Sequence, residues 1–223
     1  MSELIKAKAP FKFSTRLNLT ELTGLRATTL AQLLDLINSV PGSSIYHHTH
    51  RFLQQHQYLS PEPPNDFAYW VTDILGEDEL GERLASIDTM LYSTIRDLRK
   101  KISLTIENYL KDSPFAKLRF ARSGEEFYFV KSVSFILPTN YVVYDLKEFV
   151  EVLKKITFDS IYFHVFEARL RLEKPTNDFS CWIENCLGEK ELADSISGSD
   201  PYTRTLEDLR KTIIQLVERR IYG

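Results

Sequence analysis

Cysteine is nearly absent. The 223-residue chain has two, Cys181 and Cys186, which excludes a disulfide scaffold and a cysteine-built zinc knuckle. Their C-x4-C spacing puts them on different faces of a helix, so they read as small core or boundary side chains. Long apolar runs are missing as well. The segment MSELIKAKAPFKF lacks the apolar stretch of a signal peptide, and nothing approaches the roughly 20 residues of a membrane span. A cytoplasmic protein with no membrane partner is therefore expected. Basic excess is absent too: the net charge is -3, which gives no footprint for a nucleic-acid backbone. There is no HExxH pattern, P-loop or dinucleotide glycine motif, and no recognisable Ser-His-Asp or Cys-His set. What remains is an ordinary composition, 43% hydrophobic and 26% charged, sufficient for a real core in one or two domains.

What is present is repetition. Residues 11 to 46 recur as 127 to 162 at a constant offset, and the match resumes at NDFAYW (from Asn65) and NDFSCW (from Asn177). This reads as a tandem internal duplication, with a His-rich first repeat over 1–112 and a hairpin junction plus a diverged second repeat over 113–223. One chain then supplies its own control. A residue kept in both copies is architectural by default, whereas a polar residue found in one copy invites a functional reading.

Each copy has the same plan. Phe11, Phe13, Leu17 and Leu19 alternate with polar residues, as do Phe127, Phe129, Val133, Phe135 and Leu137, and a period of two predicts a half-buried strand. Gly24 and Asn140 suit a left-handed turn after it. Lys117 to Arg122, Ser123-Gly124, then Glu125 onward predicts a hairpin and hence a small sheet at the junction. Capping boxes follow at Thr29/Gln32 and Asp145/Glu148, each opening a helix with a 3.6-residue apolar face. Further helices run through SIYHHTHRFLQQ or SIYFHVFEARLR, then from Asn65 or Asn177 to a stop at Gly76 or Gly188. Others follow over Glu77–Ile87 or Glu189–Ile196, and from Thr94 or Thr205. The prediction is an α+β, mainly α-helical protein with one strand and about five helices per copy, the copies related by a pseudo-two-fold axis.

Tyr46/Tyr162, Phe67/Phe179 and Trp70/Trp182 recur and read as core. Asp66/Asp178, Asp88/Asp200 and Arg99/Arg210 suggest caps or ion pairs first. His48/His164 reads as a hydrogen-bonded core histidine. The asymmetry lies in copy one, where His47, His48, His50 and His56 fall in one ten-residue window, while His47 and His50 align with Phe163 and Phe166. One turn apart on a helix, His47 and His50 could face a ligand or a divalent metal, with His56 or Asp66 completing the shell, against the blander reading of a structural or solvent-facing cluster. Arg26, Thr28 and Thr29 at a helix start could hold an anion, where copy two has the repelling Asp145; the bland reading is that Thr29 caps and Arg26 is solvated.

The run SIYHHTHRFLQQHQYLSPEPPNDFAYWV, followed by LGEDELGERLASID, resembles a prokaryotic family catalogued as domain-of-unknown-function family 5752. The resemblance is close from about Phe11 to Leu110 and extends to copy two through the shared skeleton. It implies no activity, cofactor or catalytic residue. The leading expectation is a non-catalytic ligand-binding or regulatory module, holding a small anionic ligand or a protein partner through Arg26, Thr28, Thr29, His47, His50 and Arg51. The rival is a metal-dependent hydrolase using His47, His50, His56 and Asp66 to hold a metal that activates water. A third reading makes the histidine face a homo-oligomer contact.

Overall fold

Two 17-residue strands, Phe11–Ala27 (β1) and Phe127–Val143 (β2), pair as a two-stranded sheet in a computed structural model. The described residues are 5–51, 65–174, 176–199 and 205–223. Thr23 Oγ1 donates to the Phe129 carbonyl and Thr139 Oγ1 to the Phe13 carbonyl, at 2.6 and 2.8 Å, so contacts run in opposite senses and the pair is antiparallel. Helices follow each strand. After β1 come α1 (Leu30–Ser39), α2 (Gly42–Tyr46) running into a π turn (His47–Arg51), α3 (Asp66–Asp73), α4 (Asp78–Ala85) and α5 (Ile95–Asp112). After β2 come α6 (Leu146–Leu153) and α7 (Phe158–Tyr162), which continues through a π turn (Phe163–Glu167) into α8 (Ala168–Leu172). Then follow α9 (Asp178–Trp182) with a further π turn (Ile183–Leu187), α10 (Lys190–Ser197) and α11 (Leu206–Tyr222). The α+β, mainly helical plan is as expected.

The chain divides into two compact units whose boundary cuts both strands. Unit 1 joins the segment ending at Leu17 to Ser134–Gly223, and unit 2 is Asn18–Val133, so the expected repeat boundary near residue 112 lies inside unit 2. In unit 1, Phe11 and Phe13 pack with Phe149, Leu153, Phe179 and Ile213, which all follow β2. In unit 2, Phe127 and Phe129 pack with Leu33, Ile37, Phe67 and Ile102, which all follow β1. The start of each strand thus fills the core built by the helices that follow the other strand. Each fully buried phenylalanine contributes roughly 2–3 kcal/mol by transfer from water, so the strand starts are strongly held.

The two strands share a burial pattern: the ends are covered and the middle is exposed. Parity breaks early in each. Burial runs on odd positions at Phe11 and Phe13, then shifts to Arg16; it does the same from Phe127 and Phe129 to Ser132. At the break, the Ser14 and Val130 amides donate to histidine rings, at 2.9 and 3.0 Å.

Local signals account for the helix ends. Thr29 and Asp145 accept from the Gln32 and Glu148 amides at 3.2 and 2.8 Å, each cap being worth about 1 kcal/mol. The return arms reach one residue further back than in the standard capping box, to the Thr28 and Tyr144 amides. Gly76 and Gly188 stop their helices at φ +68° and +75°. Arg99 and Arg210 donate to the Val40 and Ile156 carbonyls at 2.7 and 2.8 Å, capping the segments beyond α1 and α6. Arg210 also pairs with Glu207. Asp200 lies outside the described residues. Cys181 and Cys186 are free and half-buried.

Two expectations fail. No hairpin forms over 117–125: residues Pro114–Leu118 make a 3-10 turn, Phe120 bridges Thr29, and β2 finds its partner in β1. The chain does not turn away at Gly24 and Asn140 either, for both strands continue to Ala27 and Val143. Gly24 takes φ +76° inside β1, whereas Asn140 is not left-handed. Thr23 and Thr139 serve both places alike, their hydroxyls accepting from the Leu25 and Tyr141 amides.

Candidate functional site

The histidines sit where α2 widens into its π turn, a rare geometry often found at functional sites. His48 is buried and uses both ring nitrogens. Nε2 accepts from the Val130 amide at 3.0 Å, and Nδ1 meets Asp66 Oδ2 at 2.6 Å. An amide can only donate, so Nε2 is unprotonated and the Nδ1 proton goes to the carboxylate. Phe67, Phe127 and Phe129 pack around the ring. His164 repeats the arrangement in unit 1, with the Ser14 amide on Nε2 at 2.9 Å and Asp178 Oδ2 on Nδ1 at 2.7 Å. Asp178 also accepts from Arg171 at 2.7 Å. Both histidines are therefore clamps between strand and helix. With both nitrogens used, neither is available as a base or a metal ligand.

The residues peculiar to the first half lie beside that clamp. His47 Nδ1 meets Ser132 Oγ at 2.9 Å. Burial, with smaller contributions from His48 and Arg51, pushes the His47 pKa down from 6.5 to about 4, against the opposing pull of Asp66, so its ring is neutral at physiological pH. His50 stacks on Tyr46, centroids 5.6 Å apart and planes 8° apart. The Thr49 hydroxyl donates to the Ile45 carbonyl at 2.7 Å, so its 3.1 Å contact with His50 Nδ1 places a proton on that nitrogen. Aligned residues in unit 1 keep the geometry with other chemistry. Tyr162 and Phe166 stack at 4.6 Å and the same 8°. Phe163 lies under the Arg171 guanidinium, 4.2 Å from its ring centroid.

The remaining expected site residues are arranged as follows. Asp66 is taken by His48, and His56 lies outside the described residues. Among the described residues, no three His, Cys, Asp or Glu side chains are grouped so as to hold a metal ion. At the start of α1, Thr28 and Thr29 are engaged with Gln32, and Arg26 reaches Glu126 at 3.4 Å. Glu126 and Ser132 are six residues apart along an extended strand, roughly 20 Å, so the Arg26 end and the His47 end are separate places. Sequence reasoning missed Ser132. Its signal was the alignment itself, since position 132 pairs with the very different Arg16.

Residues 8–218 match the model of a family of unknown function, DUF5752, and the chain belongs to that family. A solved structure, that of OrfY from Thermoproteus tenax, is 30% identical and superposes with a TM-score of 0.82, over 97% of this chain and 98% of that one. No curated protein matches. No helix among the described residues is long and apolar enough to cross a membrane.

Proposed function

We propose that the chain is an internal duplication with exchanged strands, and that it works as a non-catalytic binding module. Its ligand site is the π turn of the first half, formed by His47, His50, Arg51 and Ser132. One observation carries this reading. Positions that hold Phe163, Phe166, Glu167 and Arg16 in unit 1 hold His47, His50, Arg51 and Ser132 in unit 2, although the clamp beside them is the same. The framework is shared, so the polar set is not a requirement of the fold. Catalysis is disfavoured because the Asp-His pairs spend both ring nitrogens on structure. A metal-centred reading would need His56 together with an acid other than the engaged Asp66.

The test is a binding screen against a panel of small metabolites, charged and uncharged, using wild type and the double variant His47→Phe/His50→Phe. That variant installs the second half's own side chains, so it should fold. A panel member that binds wild type and fails to bind the variant supports the site. A ligand held equally by both refutes it.

A further inference from the structure

The first turn of α5 in unit 2 departs from the aligned turn of α11 in unit 1. In unit 1 the Arg210 guanidinium lies 4.6 Å from the centroid of the Phe158 ring, and Glu207 pairs with both Arg210 and Lys211, at 3.5 and 4.0 Å. Position by position, unit 2 keeps Arg99 for Arg210 and Lys100 for Lys211, but has Gly42 for Phe158 and Arg96 for Glu207. The ring is gone, and the acid has become a base. Arg96 also stands against the helix dipole, which favours an acid in the first turn.

Printed contacts of the backbone and side chains bring these positions to one place. Arg99 donates to the Val40 carbonyl at 2.7 Å, two residues before Gly42. A β-carbon at Gly42 would meet Ile95 Cγ2 at 3.4 Å, an ordinary contact, and Ile95 precedes Arg99 by one helical turn. Unit 1 buries Leu206, whereas the aligned Ile95 is half-buried, and Leu91 shortly before it is 77% exposed. Arg99 and Lys100 lie three and four residues after Arg96, along one side of the helix. Among the described residues none of these three cations forms an ion pair. The adjacent acid, Asp97, accepts from Thr94 Oγ1 at 2.7 Å; Asp208 and Thr205 repeat that contact at 2.8 Å, so Asp97 does not compensate for the missing Glu207 counterpart.

We propose that this turn docks an acidic segment of a partner protein carrying an aromatic side chain, a step that rests on the duplication reading above but not on the histidine site. The ring takes the position over Arg99 that Phe158 takes over Arg210, and carboxylates meet Arg96 and Lys100 as Glu207 meets Arg210 and Lys211. Charge complementarity selects the acids, and the place vacated at Gly42 selects the ring. Arg96 and Lys100 are exposed, with Leu91 beside them, which suits the side chains of a protein surface better than a small molecule that needs enclosure. The net charge of -3 disfavours a nucleic-acid backbone.

The experiment is fluorescence anisotropy at low ionic strength, in which the full chain is titrated into a labelled Glu-Glu-Phe-Asp-Glu peptide or the same peptide with alanine for phenylalanine. Wild type is compared with Arg96→Glu and with Gly42→Phe/Arg96→Glu, which rebuilds the arrangement of unit 1. Circular dichroism checks folding, and the surface change Arg96→Glu carries the test if the double variant does not fold. Saturable binding of the phenylalanine peptide to wild type, at least tenfold weaker in Arg96→Glu or with the alanine peptide and abolished in the folded double variant, supports the proposal. No saturable binding to wild type, equal binding of the alanine peptide, or binding undiminished in Arg96→Glu overturns it. Tighter binding of a labelled single-stranded oligonucleotide than of the peptide overturns it as well. His47→Phe/His50→Phe should bind the peptide as wild type does, which separates a failure here from a failure of the histidine site.

Discussion

The clamp invites a quantitative test at His48. Replacing it with leucine keeps most of the ring volume, so the cavity cost is small and the polar cost dominates. The Val130 amide loses its acceptor, and a buried donor left unmatched costs about 1–3 kcal/mol. Asp66 loses a charge-assisted bond of 2.6 Å. Such bonds are worth roughly 1.5–3 kcal/mol, and because the Asp66 side chain is 28% exposed, water recovers part of that. His48→Leu should therefore destabilise unit 2 by about 3 kcal/mol, a large share of the 5–15 kcal/mol typical of a domain. His48→Gln offers a carbonyl to the same amide and gives up only the Asp66 contact, so about half the loss is expected. Urea denaturation gives the global cost, and amide hydrogen exchange at Val130 gives the local one. If His48→Leu costs under about 1 kcal/mol, or Val130 exchanges no faster, the histidine is not the strand's anchor. His164→Leu should do the same to Ser14.

The buried Arg16–Glu167 pair predicts an asymmetry between single and double changes: Arg16→Ala should cost about 3–5 kcal/mol by leaving Glu167 uncompensated, whereas Arg16→Met with Glu167→Leu should be near neutral, both read from urea midpoints. His47 predicts a pH dependence. Its folded pKa, about 4, lies below the ordinary 6.5, so the unfolded chain binds the proton more readily. The stability contributed by neutral His47 is complete above about pH 6.5 and is lost as pH falls toward 4. A stability profile measured between those values should be flatter in His47→Phe, and an unchanged slope would refute the assignment.

Local chemistry was legible in the residues. The caps at Thr29 and Asp145, the glycine stops at 76 and 188, and the apolar faces of α1, α5, α6 and α11 follow rules that act within a few residues. The errors came from contacts between distant residues. Ser123-Gly124 does turn the chain, but β2 pairs with a strand more than 100 residues away, and that pairing buries phenylalanines on both sequence halves where a local hairpin would not. Asn140 suited a left-handed turn, yet the Thr139 hydroxyl satisfies the next free amide and the strand runs on. At the site, the contrast between His47, His50 and the aligned phenylalanines was visible. Ser132 was not, because it reaches His47 across 85 residues of sequence. Arg16 read as the polar face of a strand, although the parity break at Ser14 turns it inward.

On the duplication reading, the clamp also accounts for where the halves diverged. His48 and His164 each bind a strand amide on one nitrogen and an aspartate on the other, so a change there leaves two buried groups unmatched at once. Their neighbours are less constrained. Position 47 tolerates imidazole or phenyl beside the clamp, and position 50 needs only a flat ring to stack on tyrosine, which His50 and Phe166 both supply at 8°. The strand residue opposite is tied to this set, since a buried arginine at 132 would need an acid beside it of the kind Glu167 gives Arg16, and position 51 holds Arg51. A coupled change at 47, 50, 51 and 132 is therefore the cheapest way for one half to gain polar chemistry while the exchanged strands stay locked.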